Sequence, residues 1–169
     1  NSRFSLLWAL AIYTCIIGCA MVAWALKPCL SNCPSTWIGM AMLWLAGIGA
    51  ILLAAFPTDD TYVRTLSGKV HNDAALTTFA LLGAAMVVLA PAFRASPSLG
   101  RFAGVSVLLG VLVTASWVTY LVTTLRQIHI YAPAQRILVA LITTWFVLLA
   151  LHLRHAATVR PRRNLRSVV

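Results

Sequence analysis

The sequence predicts an all-α protein, a polytopic bundle of transmembrane helices. Hydrophobic residues make up 61% of the 169 residues and charged residues only 9%, whereas soluble domains are about 25% charged. The apolar residues gather in long runs with few or no charges. Because backbone polar groups in lipid must be satisfied within the protein, each run is predicted to be a helix. This composition excludes a water-soluble globule, a disordered chain and a secreted disulfide scaffold.

Five apolar runs are long enough to cross a bilayer, whose hydrocarbon core needs about 20 residues of helix. Pro28 and Pro34 lie in the first connection, where they stop helices, and Pro91 is expected to bend the third span. The other connections are short, apart from the one at 57–73. The sequence therefore predicts one transmembrane domain over residues 1–153 and an Arg-rich tail over 154–169. The predicted spans are residues 4–26, 37–56, 74–93, 102–125 and 134–153.

Small residues and buried tryptophans are predicted to hold this bundle together. Glycines such as Gly110 let neighbouring helices approach closely. Trp44, Trp117 and Trp145 lie deep in their runs and are expected to pack between helices. Hydroxyl groups within the spans, such as that of Ser106, are expected to bond their own helix or a neighbour.

Thirteen basic residues stand against three acidic ones, for a net charge of +10. In a soluble protein this balance would suggest a nucleic-acid partner. Here the basic residues lie between apolar runs and in the tail, so nucleic-acid binding is not expected and anionic lipid is the predicted partner. The residues predicted to lie at the lipid interface are Arg126, Arg136, Arg154, Arg160, Arg162 and Arg163.

The distribution of basic residues also predicts an orientation. With five spans, eight basic residues share the side of the C-terminal tail and five lie on the opposite side. Basic residues are enriched in cytoplasmic segments. The chain is therefore predicted to be a multi-pass protein of the cell inner (plasma) membrane, with its C-terminus in the cytoplasm.

The side chains best suited to chemistry lie on the opposite, outer side. Asp59, Asp60 and His71 follow the second span, and His129 lies in the last connection on the same side. Two imidazoles and a carboxylate suffice to hold a zinc or iron ion with open positions. These four residues are the candidate metal ligands, and Asp59 and His71 are the candidate catalytic residues.

A purely structural interpretation of the acidic residues stays open. Thr58, Asp59 or Asp73 could cap the start of a helix, where an oxygen accepts unpaired backbone N–H groups. The spacing of known zinc-enzyme motifs is missing, so no cofactor is predicted and a metal ion stays an alternative. Haem is not expected, because no two histidines lie at matched depth within two spans.

The cysteines of the first connection form a C-x3-C pair, Cys29 and Cys33. Such a pair could close a disulfide in an oxidising space. The charge distribution places this connection on the cytoplasmic side, where thiols stay reduced. The reduced form is therefore the prediction.

Three stretches carry a resemblance to a known family. The second span ends in Phe56-Pro57-Thr58-Asp59, Gly68 precedes His71 at the opening of the third, and the last span is entered by Gln135-Arg136 with Trp145 at its middle. Over about residues 37–154 the chain resembles the DUF998 family of uncharacterised bacterial membrane proteins. The resemblance implies a bundle of about six helices, brings no settled activity, and draws attention to Asp59 and His71.

The predicted function is a non-catalytic one. Apart from Arg136 near the start of the last one, no charge lies within the five spans, and no nucleophile or nucleotide-binding motif is present. Both observations disfavour ion-coupled transport and the common enzyme mechanisms. The chain is predicted to be an accessory or structural subunit, or a lipid-contacting partner, of a larger membrane complex. Two alternatives stay open: a metal- or His-dependent enzyme that hydrolyses or modifies lipids at the outer Asp/His cluster, and lipid binding or translocation in a groove near Arg126 or Arg136.

Overall fold

The computed structural model describes residues 17–56, 65–126 and 131–166, and this part of the chain is about 89% helical without strands. The helix α1 ends in a turn of 3-10 helix at Lys27–Cys29. A break of one residue separates α3 from the short α4, so that these two form one continuous rod. The helices are α1 (Ile17–Cys29), α2 (Pro34–Ala55), α3 (Leu66–Val88), α4 (Ala90–Ala95), α5 (Phe102–Leu125) and α6 (Tyr131–Arg166).

Four of these segments are long and apolar enough to cross a membrane, with mean hydropathies of 2.0 to 2.2. The predicted helical membrane bundle is thereby confirmed. The first predicted span, 4–26, lies only partly within the described residues, where it is an apolar helix. The four segments are Pro34–Ala55, Leu66–Ala95, Phe102–Leu125 and Pro133–Ala157.

Two helices extend further than the apolar runs that predicted them. The third starts at Leu66 rather than at residue 74, and the last continues to Arg166 rather than ending at residue 153. Hydropathy marks the part of a helix that lies in lipid, whereas backbone hydrogen bonds continue into polar sequence beyond it. At about 1.5 Å per residue, the 36 residues of α6 exceed the length needed to cross a bilayer.

The helix is interrupted close to Pro91, where the sequence predicts a bend. The regular helix is interrupted at Leu89 and resumes at Ala90 with proline in the first turn of α4. Proline has no N–H to continue the helical hydrogen bonds, and its ring crowds the preceding turn. Leu89 itself is fully buried, so the break lies against the core of the bundle.

The long helices form a row in the order α2, α3, α5, α6, with α3 packed against both α2 and α5. In an apolar 18-residue window of the α3–α4 span 56% of the residues are buried, against 22% to 28% in the corresponding windows of the other three spans. Neighbours run antiparallel: Gly39 lies beside Leu89 and Gly49 beside Thr78. Lys27, Arg94, Arg101 and Arg154 therefore share one end of the bundle, here called the arginine end, and Phe56 lies at the other.

Candidate functional site

His71 lies in the second turn of α3, at the end of the bundle opposite the arginine end. The helix begins at Leu66 and is capped by Thr65, whose side-chain oxygen accepts a hydrogen bond from the backbone N–H of Gly68 at 3.2 Å. A cap at Asp73, one of the alternatives left open by the sequence, is thereby wrong, while Thr58 and Asp59 lie outside the described residues. The extra turns place His71 inside the helix and 8% exposed, although the sequence prediction left it at the helix edge.

The ring of His71 is fixed by the end of α2. Its Nδ1 lies 2.7 Å from the carbonyl oxygen of Phe56. A carbonyl oxygen only accepts, so Nδ1 carries the proton and donates. In the neutral ring this leaves Nε2 with a free lone pair, the form in which histidine acts as a base or a metal ligand.

The predicted partners of His71 fall outside the described residues. Asp59 and Asp60 belong to 57–64, and His129 belongs to 127–130. Within the described ranges, no group of three or more His, Cys, Asp or Glu side chains could hold a metal ion. The four-residue metal centre therefore stays a prediction, of which the structure describes His71 alone.

Asp73, the remaining acidic residue, lies two residues after His71 in α3 and is exposed. It does not cap the helix, because the helix starts seven residues earlier, at Leu66, with Thr65 as its cap. Its backbone carbonyl accepts a hydrogen bond from the hydroxyl of Thr77 at 2.8 Å. The carboxylate is thus available to solvent and headgroups and belongs to no buried cluster of the described residues.

A polar contact that the sequence did not reveal joins three helices in the core. The indole N–H of Trp145 donates to the Ser106 hydroxyl at 2.9 Å, and that hydroxyl donates to the Met86 carbonyl at 2.7 Å. Trp145 and Ser106 are both fully buried. The positions of both residues within their runs were visible in the sequence, but their meeting depends on the register between α5 and α6.

An aromatic cluster surrounds this contact. Phe93 and Phe102 meet edge to face with ring centroids 5.4 Å apart, and Trp145 lies 6.1 Å from Phe102. The ring centroid of His152 lies 5.0 Å from that of Phe102, and its Nδ1 bonds the Leu148 carbonyl of its own helix at 2.8 Å. These contacts are those of a packed core.

The predicted interfacial arginines lie at helix ends or on outward surfaces where their side chains are described. Arg126, Arg136 and Arg154 are exposed. Arg160, Arg162 and Arg163 belong to the last turns of α6, and their side chains lie outside the described part of the structure. Exposure at these positions is compatible with contact to lipid headgroups.

A groove opens on the outside of the bundle, but beside Arg94 rather than beside Arg126 or Arg136. It has a volume of about 540 Å³ and lies between the α3–α4 break and the first two turns of α5. Val87 and Pro91 form one wall and Val107 the other, with Arg94 as the charged lining residue.

A comparison with known protein families assigns the chain to one of them. A family model described as a protein of unknown function, DUF998, matches residues 5–152. The chain belongs to the DUF998 family. No curated protein and no solved structure matches it. The match confirms the resemblance seen in the sequence and extends it from residue 37 back into the first predicted span.

The turn before α2 of this DUF998 protein holds an activated thiol. Cys29 and Cys33 are both free in the structure. The sulfur of Cys33 lies 3.2 Å from the hydroxyl oxygens of Ser35 and of Thr36. Hydrogen bonds with the Ser35 side chain first, and then with Thr36 and Ser31, lower the pKa of Cys33 from 9.0 to about 6. Its thiolate, the reactive form, is thus favoured at neutral pH.

Proposed function

We propose that this DUF998 protein is a non-catalytic accessory subunit that contacts lipid and a neighbouring subunit in a larger membrane assembly. The observation that carries the proposal is the outward face of α6, an edge helix of the described row. Ala140, Thr143 and Thr144 are exposed there beside Val147, which is 52% exposed. Small residues on the surface of a transmembrane helix let a second helix approach closely.

The two threonines of this face support its use as a packing surface. Thr143 donates its hydroxyl proton to the Val139 carbonyl at 2.9 Å, and Thr144 donates to the Ala140 carbonyl at 2.8 Å. Each hydroxyl is thereby satisfied within its own helix. The face presents methyl groups to its surroundings and needs no polar partner to be buried.

Mild purification of the tagged full-length chain from its own membranes tests this function. We expect a second membrane protein to co-purify at fixed stoichiometry, and Ala140→Trp to abolish its capture. Leu108→Trp is the matched control, because Leu108 is 60% exposed on the outward face of α5. Capture unchanged by Ala140→Trp would contradict the α6 surface, and a lone chain with lipid-hydrolase turnover would contradict the accessory role.

A second function, lipid hydrolysis or modification, is favoured by the tautomer of His71. The bond from Nδ1 to the Phe56 carbonyl orients Nε2 as the base or ligand that an activated water needs. Phe56 is three residues before Asp59 in the chain, and three residues span at most about 11 Å. A carboxylate is thus within reach of this end of the bundle.

Two substitutions of His71 distinguish a structural from a catalytic role. In His71→Asn the amide nitrogen can replace Nδ1 as donor to Phe56, whereas His71→Ala leaves that carbonyl unpaired, at a cost of about 1–3 kcal/mol. A structural role predicts that only His71→Ala destabilises the fold. A catalytic role predicts that both variants lose headgroup release from phospholipid in proteoliposomes, with bound metal measured by elemental analysis in parallel.

We further propose that the arginine end faces the cytoplasm of a bacterial inner membrane. The excess of basic residues at that end supports this orientation. Cys33 lies at the same end, in the turn before α2. A membrane-impermeant maleimide should label Cys33 in inverted vesicles and not in intact cells, and the reverse pattern would invert the orientation.

A further inference from the structure

The groove beside Arg94 exists because the α3–α4 rod breaks next to small side chains. The proline at position 91 ends the regular hydrogen bonding of α3, and Ala90, Ala95 and Ala103 line the space that results. Because each of these side chains is only a methyl group, the space between α4 and α5 is not filled at the surface. The volume of about 540 Å³ lies within the range of small-molecule sites, about 300–1,000 Å³.

The chemistry of the groove is apolar along its length and cationic at one end. Val87 and Val107 lie on its walls and are 38% and 39% exposed. They therefore form an apolar surface that no described helix covers. Arg94 lies one residue before the end of the 66–95 span. At that depth a guanidinium on a long side chain reaches the headgroup level of the bilayer.

The charge at this end of the bundle is unbalanced. The three acidic residues of the sequence, Asp59, Asp60 and Asp73, all occur between the end of α2 and the first turns of α3. The charged residues in the segments at the arginine end are all basic. They are Lys27, Arg94, Arg101, Arg154, Arg160, Arg162, Arg163 and Arg166. The segments at the arginine end thus contain no Asp or Glu side chain that could pair with Arg94.

We propose that this groove is a binding site for one anionic phospholipid. Its phosphate accepts hydrogen bonds from the Arg94 guanidinium, whose planar donors match phosphate geometry, and one acyl chain lies between Val87 and Val107. A membrane supplies this combination of an anion and a hydrocarbon chain at the required depth. The site goes beyond the accessory role proposed above and uses none of the α6 surface.

Lipid titration of the purified full-length chain in neutral detergent tests the site. Phosphatidylglycerol, phosphatidylcholine and inorganic phosphate are added separately, and bound lipid is counted by native mass spectrometry. We expect one phosphatidylglycerol per chain, weaker retention of phosphatidylcholine, and a loss of affinity of about tenfold in Arg94→Gln, the size of one charge-assisted hydrogen bond. If inorganic phosphate displaced the lipid completely, the acyl chain would contribute nothing to binding, and the proposed lipid site would be wrong.

Arg101→Gln is the matched control for non-specific electrostatic attraction of anionic lipid to the arginine end. Arg101 is exposed at the same end of the bundle but does not line the groove. We expect it to retain the lipid as the unmodified chain does. An equal loss in Arg101→Gln and Arg94→Gln would mean that the basic end attracts lipid without a site, and the proposal would fail.

Ala95→Trp tests the groove itself without removing a charge. Ala95 is exposed, so the larger side chain fills the groove without entering the core. We expect this variant to lose phosphatidylglycerol while its unfolding midpoint in lipid-free detergent stays unchanged; full lipid retention would contradict the groove. Capture of the second subunit, which Ala140→Trp tests, is expected to survive in Ala95→Trp, so that the two proposals fail separately.

Discussion

The α2–α3 and α5–α6 interfaces are held together in opposite ways. Along α2, Gly39 and Gly49 lie so close to Leu89 and Thr78 of the α3–α4 rod that an added Cβ would overlap those side chains. Between α5 and α6, the fully buried Trp145 fills the space with its ring and a hydrogen bond to Ser106. The first interface depends on the absence of side chains and the second on a large one.

The difference shows how a membrane bundle stabilises itself without a hydrophobic driving force between helices. Lipid is as apolar as leucine, so helices associate through van der Waals contact and interhelical hydrogen bonds. Small residues gain contact by bringing two backbones together. A tryptophan gains it by ring area, and it needs a partner for its N–H when buried. Substitutions in the two interfaces should therefore destabilise the bundle for different physical reasons.

The largest effect is expected at Trp145. Trp145→Ala empties the centre of the aromatic cluster and should lower the free energy of unfolding by about 3–5 kcal/mol. The measurement is the midpoint of unfolding by sodium dodecyl sulfate in mixed micelles. Trp145→Phe keeps most of the ring volume but loses the N–H donor, and should cost about 1–2 kcal/mol. Equal losses in both variants would assign the stability to the hydrogen bond rather than to packing.

Gly49→Ala probes the opposite interface and ranks second. Its new methyl group would overlap the Thr78 side chain, so overpacking should cost about 1–3 kcal/mol in the same unfolding experiment. Gly47→Ala is the matched control on the same helix, because a Cβ at Gly47 meets nothing within 4 Å. Equal unfolding midpoints of the two alanine variants would contradict the close packing of α2 against α3 at Gly49.

The sequence predicted the helices better than it predicted their contacts. Hydropathy located the apolar runs and Pro91 located the break, because lipid and proline act on the local backbone. The start of α3 at Leu66 was missed, since the polar residues around His71 resemble a loop by composition. The bond from Trp145 to Ser106 was missed because it depends on the register of two helices distant in sequence. Asp59, Asp60 and His129 stay predictions.

A smaller effect of opposite sign is expected at Thr78. Its hydroxyl oxygen is buried without a hydrogen-bond partner in the described part of the chain, which carries a desolvation cost of about 1–3 kcal/mol. Thr78→Val keeps the shape and removes the unpaired hydroxyl, so it should stabilise the bundle by up to about 1 kcal/mol. Destabilisation instead would reveal a partner for the hydroxyl.

Thr78 also offers a direct test of coupling across the α2–α3 interface. Thr78→Ala removes the atoms that the methyl group of Gly49→Ala would overlap. In a double-mutant cycle the two changes should therefore be less harmful together than their separate costs predict, by about 0.5–2 kcal/mol. Strict additivity would show that the two positions do not touch.

The smallest effect on stability, but a distinct one on reactivity, is expected at the turn that starts α2. Because the pKa of Cys33 is lowered to about 6, its alkylation by iodoacetamide should rise with a midpoint near pH 6, as the thiol gives way to the thiolate. Ser35→Ala removes the largest cause of the shift and should move this midpoint upward without moving the unfolding midpoint. Peptide mapping assigns the label, and Cys33→Ser removes it. A midpoint near 9 in both chains would contradict the hydrogen bonds to the sulfur.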